Sequence, residues 1–357
     1  MSAVRTGMST STASPVQRLL GEPERTAIGA SRAALLLLAV GFGALSATGT
    51  DVSLRTQMIA YLVGMVALNL PHGGYEHFSN LRRRGLPFGA RYVVLYLGFV
   101  ASFVALFVVA PLPALALAFG TAVAKGGHGD LRVMDALVGT DHLPTKPQRA
   151  LAALIRGGAV MIVPAVFWTE TFYGFTGIML GVFDGRLAGP AASNPEGFTT
   201  LLGAVFGLGV VAHLGGGLAA SWRSTGGVSR SWLLDAAETL LLVAYFALVP
   251  VVVAIGLYFP LWYSIRQSAR SMVVEQEQPD RTEGVSLVVA WGVLVVGALI
   301  TATVAAGLWT VAPNPLGGGS LLSGAVAFYT IFVCVIAMPH VVVGEWLDFG
   351  RGIWYVP

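Results

Sequence analysis

The sequence predicts an all-α fold, a polytopic bundle of helices embedded in a membrane. Three observations carry that prediction. Hydrophobic residues make up 55% of the 357 and charged residues only 11%, against about a quarter charged in an ordinary soluble domain. Mean hydropathy is +0.74. Several uninterrupted apolar runs reach the ~20 residues that a helix needs to cross hydrocarbon. So few charges cannot coat a water-facing surface.

The opening residues, MSAVRTGMSTSTASPVQRLLGEPERTAI, are rich in Ser and Thr and lack the apolar stretch of a signal peptide. Residues 1–30 are therefore expected to be a disordered cytoplasmic tail, and residues 31–357 a single transmembrane domain. Ten apolar runs follow, at 31–49, 56–72, 91–110, 112–127, 150–170, 198–221, 232–249, 251–267, 285–309 and 320–345. Pro111-Leu112-Pro113 and Pro250 make two of the joints very tight. The expectation is about ten spans; eight or nine remain if the short fourth run is re-entrant. The 45 glycines suit helices that pack closely in lipid. No internal repeat is visible.

Basic residues orient the bundle, because cytoplasmic loops collect Lys and Arg. With the tail inside, Arg55 and Arg186 fall in outer loops and Arg156 within a span, so 18 of the 21 basic residues lie on the inner side. This asymmetry predicts a cell-membrane protein with both termini cytoplasmic. The net charge of +3 comes from arginines scattered through short loops and does not indicate a nucleic-acid partner. The single cysteine, Cys334, excludes an intrachain disulfide and a Cys-based metal site.

On this topology several polar groups share one membrane depth. His72 and His77 end the second run, His128 the fourth, and Tyr263 and Gln267 the eighth. Ionisable groups within spans are costly and suggest function. Imidazoles converging from separate helices are able to hold a metal such as iron; the bland reading of each is a helix end or a packed interface. Glu76 follows His72 by four residues, on the same helix face, where it either orients the imidazole or pairs with Arg82. His142, in TDHLPTKP, reads as solvated loop. His213 is mid-span before three glycines and reads as a packed interface residue, with a substrate cavity as the other reading. His340 follows a proline that frees a carbonyl for it. Asp235 and Glu238 are intramembrane, and Glu238 has Arg156 or a histidine as its expected partner. Of the carboxylates, Glu76 and Glu238 are the catalytic candidates. Tyr258 and Trp262, with His77, His213 and His340, are candidates for contact with a long apolar ligand. No P-loop, HExxH, CxxC or strand-to-helix GxGxxG is present. A transporter remains the competing class.

Four blocks resemble a known family. LPHGGYEH, at 70–77, is similar to the Pro-His-Gly signature of the Brp/Blh proteins, the integral-membrane β-carotene 15,15'-dioxygenases. Here Glu76 stands where the family usually has Asp. GGHGDLRVMD resembles its second histidine block, LYFPLWYSIRQ its third, and MPHVVVGEWLD a C-terminal Pro-His block, all in family order. The resemblance implies Fe(II) and dioxygen, with the central double bond of β-carotene cleaved to retinal in the membrane. It implies metal ligation at His72, His128, Tyr263 and Gln267. The family's third block normally supplies two histidines four residues apart, and Tyr263 and Gln267 occupy those positions. Two readings follow: a carotenoid-cleaving enzyme, and a non-catalytic paralogue that binds carotenoid or retinal and delivers it to an opsin.

Overall fold

The computed structural model describes residues 23–69, 90–276 and 287–347, except the side chains of 23, 67–69, 271–298, 340, 341 and 343–347. Among the described residues every regular element is helical. In chain order these are α1 (Pro23–Ala47), α2 (Leu54–Leu62), α3 (Ala90–Val109), α4 (Pro111–Leu137), α5 (Lys146–Phe167), α6 (Thr169–Gly181), α7 (Pro195–Thr225), α8 (Arg230–Leu248), α9 (Val251–Tyr258), α10 (Ile265–Gln276), α11 (Leu287–Val311) and α12 (Leu321–Leu347). A one-turn helix, Pro190–Ser193, precedes α7. As far as the described residues go, each of the ten apolar runs falls on helix.

Local chemistry sets the ends. Ser53, Thr145, Asn194 and Ser229 cap α2, α5, α7 and α8, each accepting a bond from a backbone N–H three residues on. Prolines open α4, α5 and α7 within their first two residues, where a missing N–H costs nothing. Gly226, at φ +70°, ends α7 in the left-handed conformation.

Among the described residues six helices are long and apolar enough to cross a membrane: α1, α3, α5, α7, α8 and α12 as far as Pro339. Leu54–Val66 and Leu299–Val311 are shorter apolar helices. On the outer faces Leu37, Val109, Leu208, Val211 and Leu321 are each at least 70% exposed. Apolar surface on that scale belongs in lipid. The chain is a multi-pass membrane helix bundle.

The interior has two main apolar clusters. One gathers Phe107, Leu115, Leu180, Phe183, Ile331 and Phe332 from α3, α4, α6, α12 and the end of α6. The other gathers Leu35, Val160, Tyr245, Phe246, Tyr258 and Trp262 from α1, α5, α8, α9 and the turn after it. Helices α4 and α5 approach backbone to backbone. A Cβ on Gly127 would overlap the Ala153 carbonyl oxygen, and one on Gly157 the Val123 carbonyl oxygen.

Four features depart from the sequence expectations. Helix α1 begins at Pro23, inside the stretch expected as tail; residues 1–22 lie outside the described set. The fifth run ends two residues into α6: the backbone breaks at Trp168 (φ −125°, ψ 40°), and α6 starts anew as a helix that the ten runs left out. The second run widens into a π-helical segment, Val63–Asn69, after α2. The eighth does the same at Phe259–Ser264, between α9 and α10. There Pro260 brings no N–H to the ordinary helical ladder. The two π segments pack together, with Gly64 against the backbone of Gly256 and Leu257 nearby. Single π turns inside α-helices occur frequently at functional sites.

Candidate functional site

The first π segment leads directly into the LPHGGYEH stretch. His72, Glu76 and His77 lie outside the described residues. His340 lies on α12, and its side chain is outside the described set. The remaining candidates can be placed.

His128 stands on α4, nine residues before its last residue, Leu137, and so inside the helix rather than at the end the sequence suggested. The next residue, Gly129, packs against the second π segment and the first turn of α10. A Cβ built on Gly129 would sit 2.8 Å from Gln267 Nε2 and 3.3 Å from Tyr263 Oη. The absent side chain is what lets this turn meet both residues. The His128–Gly129 turn of α4 therefore meets Tyr263 and Gln267 through Gly129, although 135 residues separate His128 from Tyr263 in the chain. Tyr258 and Trp262 form the apolar floor: both are buried, and Gly126 lies within 3.8 Å of the Tyr258 hydroxyl by the same Cβ construction. His213 is elsewhere. It lies on α7, with Nε2 3.1 Å from Asp235 Oδ2 across the interface with α8.

Beside this cluster lies a buried knot of charges. Asp130, two residues after His128, binds Arg156 Nε at 2.6 Å through one oxygen and Arg266 Nε at 2.9 Å through the other. Glu238 accepts from Arg32, Arg156 and Arg266, at 2.5–2.8 Å. Asp235 accepts from Arg156 Nη1 at 2.8 Å. The guanidinium of Arg266 also lies over the Trp262 ring, 4.2 Å from its centroid. Asp130, Arg156, Asp235, Glu238 and Arg266 are each at most 3% exposed. Charges so buried are tolerated only when paired and fully hydrogen-bonded. The knot ties α1, α4, α5, α8 and α10 together at one level.

Two sequence expectations are corrected here. His142 is not solvated: it is 1% exposed, with Nε2 2.8 Å from Asp235 Oδ2 and Nδ1 3.1 Å from Ser231 Oγ. An ionised Asp235 only accepts, so His142 Nε2 donates to it. Arg266 and Arg270, counted among the inner-side cations, are buried at 1% and 7% exposure. Sequence reading missed Arg266 as a site residue because it stands at the end of an apolar run, where a cation ordinarily marks a loop. The available signal was its place between Tyr263 and Gln267. Glu238 has the Arg156 partner that its intramembrane position suggested, and two further arginines as well.

Among the described residues no group of three His, Cys, Asp or Glu side chains is placed to hold a metal ion. At Gly129 a phenol and an amide meet the α4 backbone next to His128. A phenol's ordinary pKa of about 10 opposes ligation as phenolate, and an amide oxygen is a weak donor. This set does not by itself fit iron.

Comparison with known proteins adds three findings. The family model described as Beta-carotene 15,15'-dioxygenase matches residues 63–348, from the start of the first π segment to just past α12. The chain is 52% identical over 340 residues to the protein of Halobacterium salinarum named Probable beta-carotene 15,15'-dioxygenase Brp, covering 92% of this chain and 93% of that one. It is 31% identical over 334 residues to the same organism's Probable beta-carotene 15,15'-dioxygenase Blh, covering 90% and 94%. No solved structure matches.

Proposed function

The chain belongs to the β-carotene 15,15'-dioxygenase family, and from that premise we propose that it cleaves β-carotene at the central double bond to give retinal, with dioxygen as co-substrate. One β-carotene and one dioxygen yield two retinals; the C=C bond is exchanged for two C=O bonds. The observation that carries the reading is the meeting of the His128 turn with Tyr263 and Gln267 among apolar helices. It is supported by the two relatives' names.

The residues suit a substrate that dissolves only in lipid. Tyr258 and Trp262 present buried aromatic surface beside the cluster. Phe259 and Tyr263 continue that surface, their rings 6.2 Å apart. Such walls align a polyene by contact and keep water from the reacting carbons. The family suggests a metal cofactor. The described donors are too weak a set for Fe(II), and His72 is the residue left to complete one. The substrate enters laterally from the membrane, the protein sits in the cell membrane with both termini in the cytoplasm, and the product passes to an opsin.

Purified protein supplied with β-carotene in detergent tests the reading. Retinal formed at two per carotenoid consumed, with matching dioxygen uptake, supports it. A second reading rests on Tyr263 and Gln267 standing where two histidines are expected: a paralogue that holds pigment without cleaving it. That reading expects a bound carotenoid absorption band and no retinal.

A further inference from the structure

We propose that the Asp130–Arg266 ion pair is a positioning device for the cleavage site, holding Tyr263 and Gln267 against the His128 turn and so selecting which double bond of the polyene is broken. The inference rests on the reading of that cluster as the cleavage site.

The two residues are spliced into the two halves of the cluster. Asp130 lies two residues beyond His128 on α4. Arg266 lies between Tyr263 and Gln267, immediately before the latter. Their bond, Nε to Oδ1 at 2.9 Å, therefore joins the two backbones at the point where the candidate residues meet. Neither partner is free to turn. The other oxygen of Asp130 is held by Arg156 at 2.6 Å. Both terminal nitrogens of Arg266 bind Glu238 at 2.8 Å, and its flat face is stacked on Trp262. A planar guanidinium used on three nitrogens and one face fixes angle as well as distance.

The need for such a fastening comes from the backbone. Tyr263 sits in the π segment, where Pro260 interrupts the ordinary ladder. The extra residue of the π turn resets the rotation of α10 relative to α9, and the ion pair fastens that setting. A buried ion pair is an inefficient way to gain stability, since apolar residues of similar volume often do as well. It is an effective way to hold one geometry. A displacement of about 1 Å at a reacting centre is able to cost ~100-fold in rate.

The test uses the full chain in lipid nanodiscs, with Asp130→Asn, Arg266→Lys, and Arg32→Gln as control. Arg266→Lys keeps the charge and loses the fork, and covers the case in which Asp130→Asn does not fold. Arg32 joins the knot through Glu238 Oε1, which Arg266 Nη1 also uses, and its side chain is 30% exposed. Two quantities are read: the ratio of retinal to longer apocarotenals, with kcat and KM separately, and the 19F resonance of 3-fluorotyrosine placed at position 263. Asp130→Asn and Arg266→Lys are expected to lower kcat by ~10- to 100-fold, to raise the share of off-centre products and to shift the resonance. Arg32→Gln is expected to lower thermal stability and leave product ratio and resonance unchanged. Retinal as sole product with an unmoved resonance in a folded Asp130→Asn or Arg266→Lys protein overturns the proposal. So does an equal change in Arg32→Gln, which would mark the pair as purely structural. If the unmodified protein makes no retinal, the cleavage reading falls, and the resonance alone decides the positioning role.

Discussion

Glu238→Gln removes one negative charge from a knot that holds three of each sign: Arg32, Arg156 and Arg266 against Asp130, Asp235 and Glu238. The shape of the side chain is kept, so the charge is what changes. Three guanidiniums lose a partner together, two of them at 1% exposure or less on their side chains. A charge pair ~4 Å apart is worth ~4 kcal/mol at an effective dielectric of 20, partly offset by desolvation. Breaking one partner of a buried pair costs ~3–5 kcal/mol. For a chain of this size that corresponds to a fall of ~10 °C in Tm. Adding Arg32→Gln returns the knot to two charges of each sign. Arg32 is 30% exposed on its side chain, so its pairing is partly screened, and the recovery is expected to be ~1–2 kcal/mol. Thermal unfolding of the detergent-purified single and double variants, followed by circular dichroism, measures both. A single variant within 2 °C of the parent, roughly 1 kcal/mol, would refute the reasoning. A double variant less stable than Glu238→Gln alone would refute the charge-balance part of it.

Other perturbations have equally definite outcomes. His142→Phe removes the ring nitrogens that meet Asp235 and Ser231 and is expected to cost ~1–3 kcal/mol, seen as a lower Tm with no change in products. Gly127→Val drives a branched side chain into the Ala153 carbonyl, so the yield of monodisperse protein on size exclusion should fall by more than the ~1–3 kcal/mol of ordinary overpacking implies. Tyr263→His combined with Gln267→His places two imidazoles at i and i+4 near His128 and should raise iron content per chain, read by elemental analysis of purified protein.

Much of the architecture was open to sequence reading, because apolar runs of bilayer length have few alternatives in lipid. The runs at 198–221 and 232–249 are α7 and α8 to within a few residues of their ends. Helix α6 was missed because Thr, Glu and Gly break up the apolar residues of TETFYGFTGIML. The π segments leave no periodic signature, since one extra residue in a turn is lost in an all-round apolar stretch. In the site, resemblance pointed to His128, Tyr263 and Gln267, and Gly129 explains their meeting. The knot was legible only in pieces. Asp235, Glu238 and Arg156 stood out as charges within spans, whereas Asp130, Arg266 and His142 looked like helix-end or loop residues. Whether such a group turns inward depends on an opposite charge supplied from a distant helix, and spacing along one segment carries no record of it.

On the proposed reading a carotenoid is cut where the His128 turn meets Tyr263 and Gln267. Expression in a β-carotene-producing bacterium, with the pigments extracted and separated, tests it most directly. The account predicts loss of orange colour and appearance of retinal with the parent chain, and retained colour without retinal for His128→Ala at equal membrane abundance. Retinal produced undiminished by His128→Ala would contradict it, as would unaltered β-carotene in cells that hold the folded parent protein.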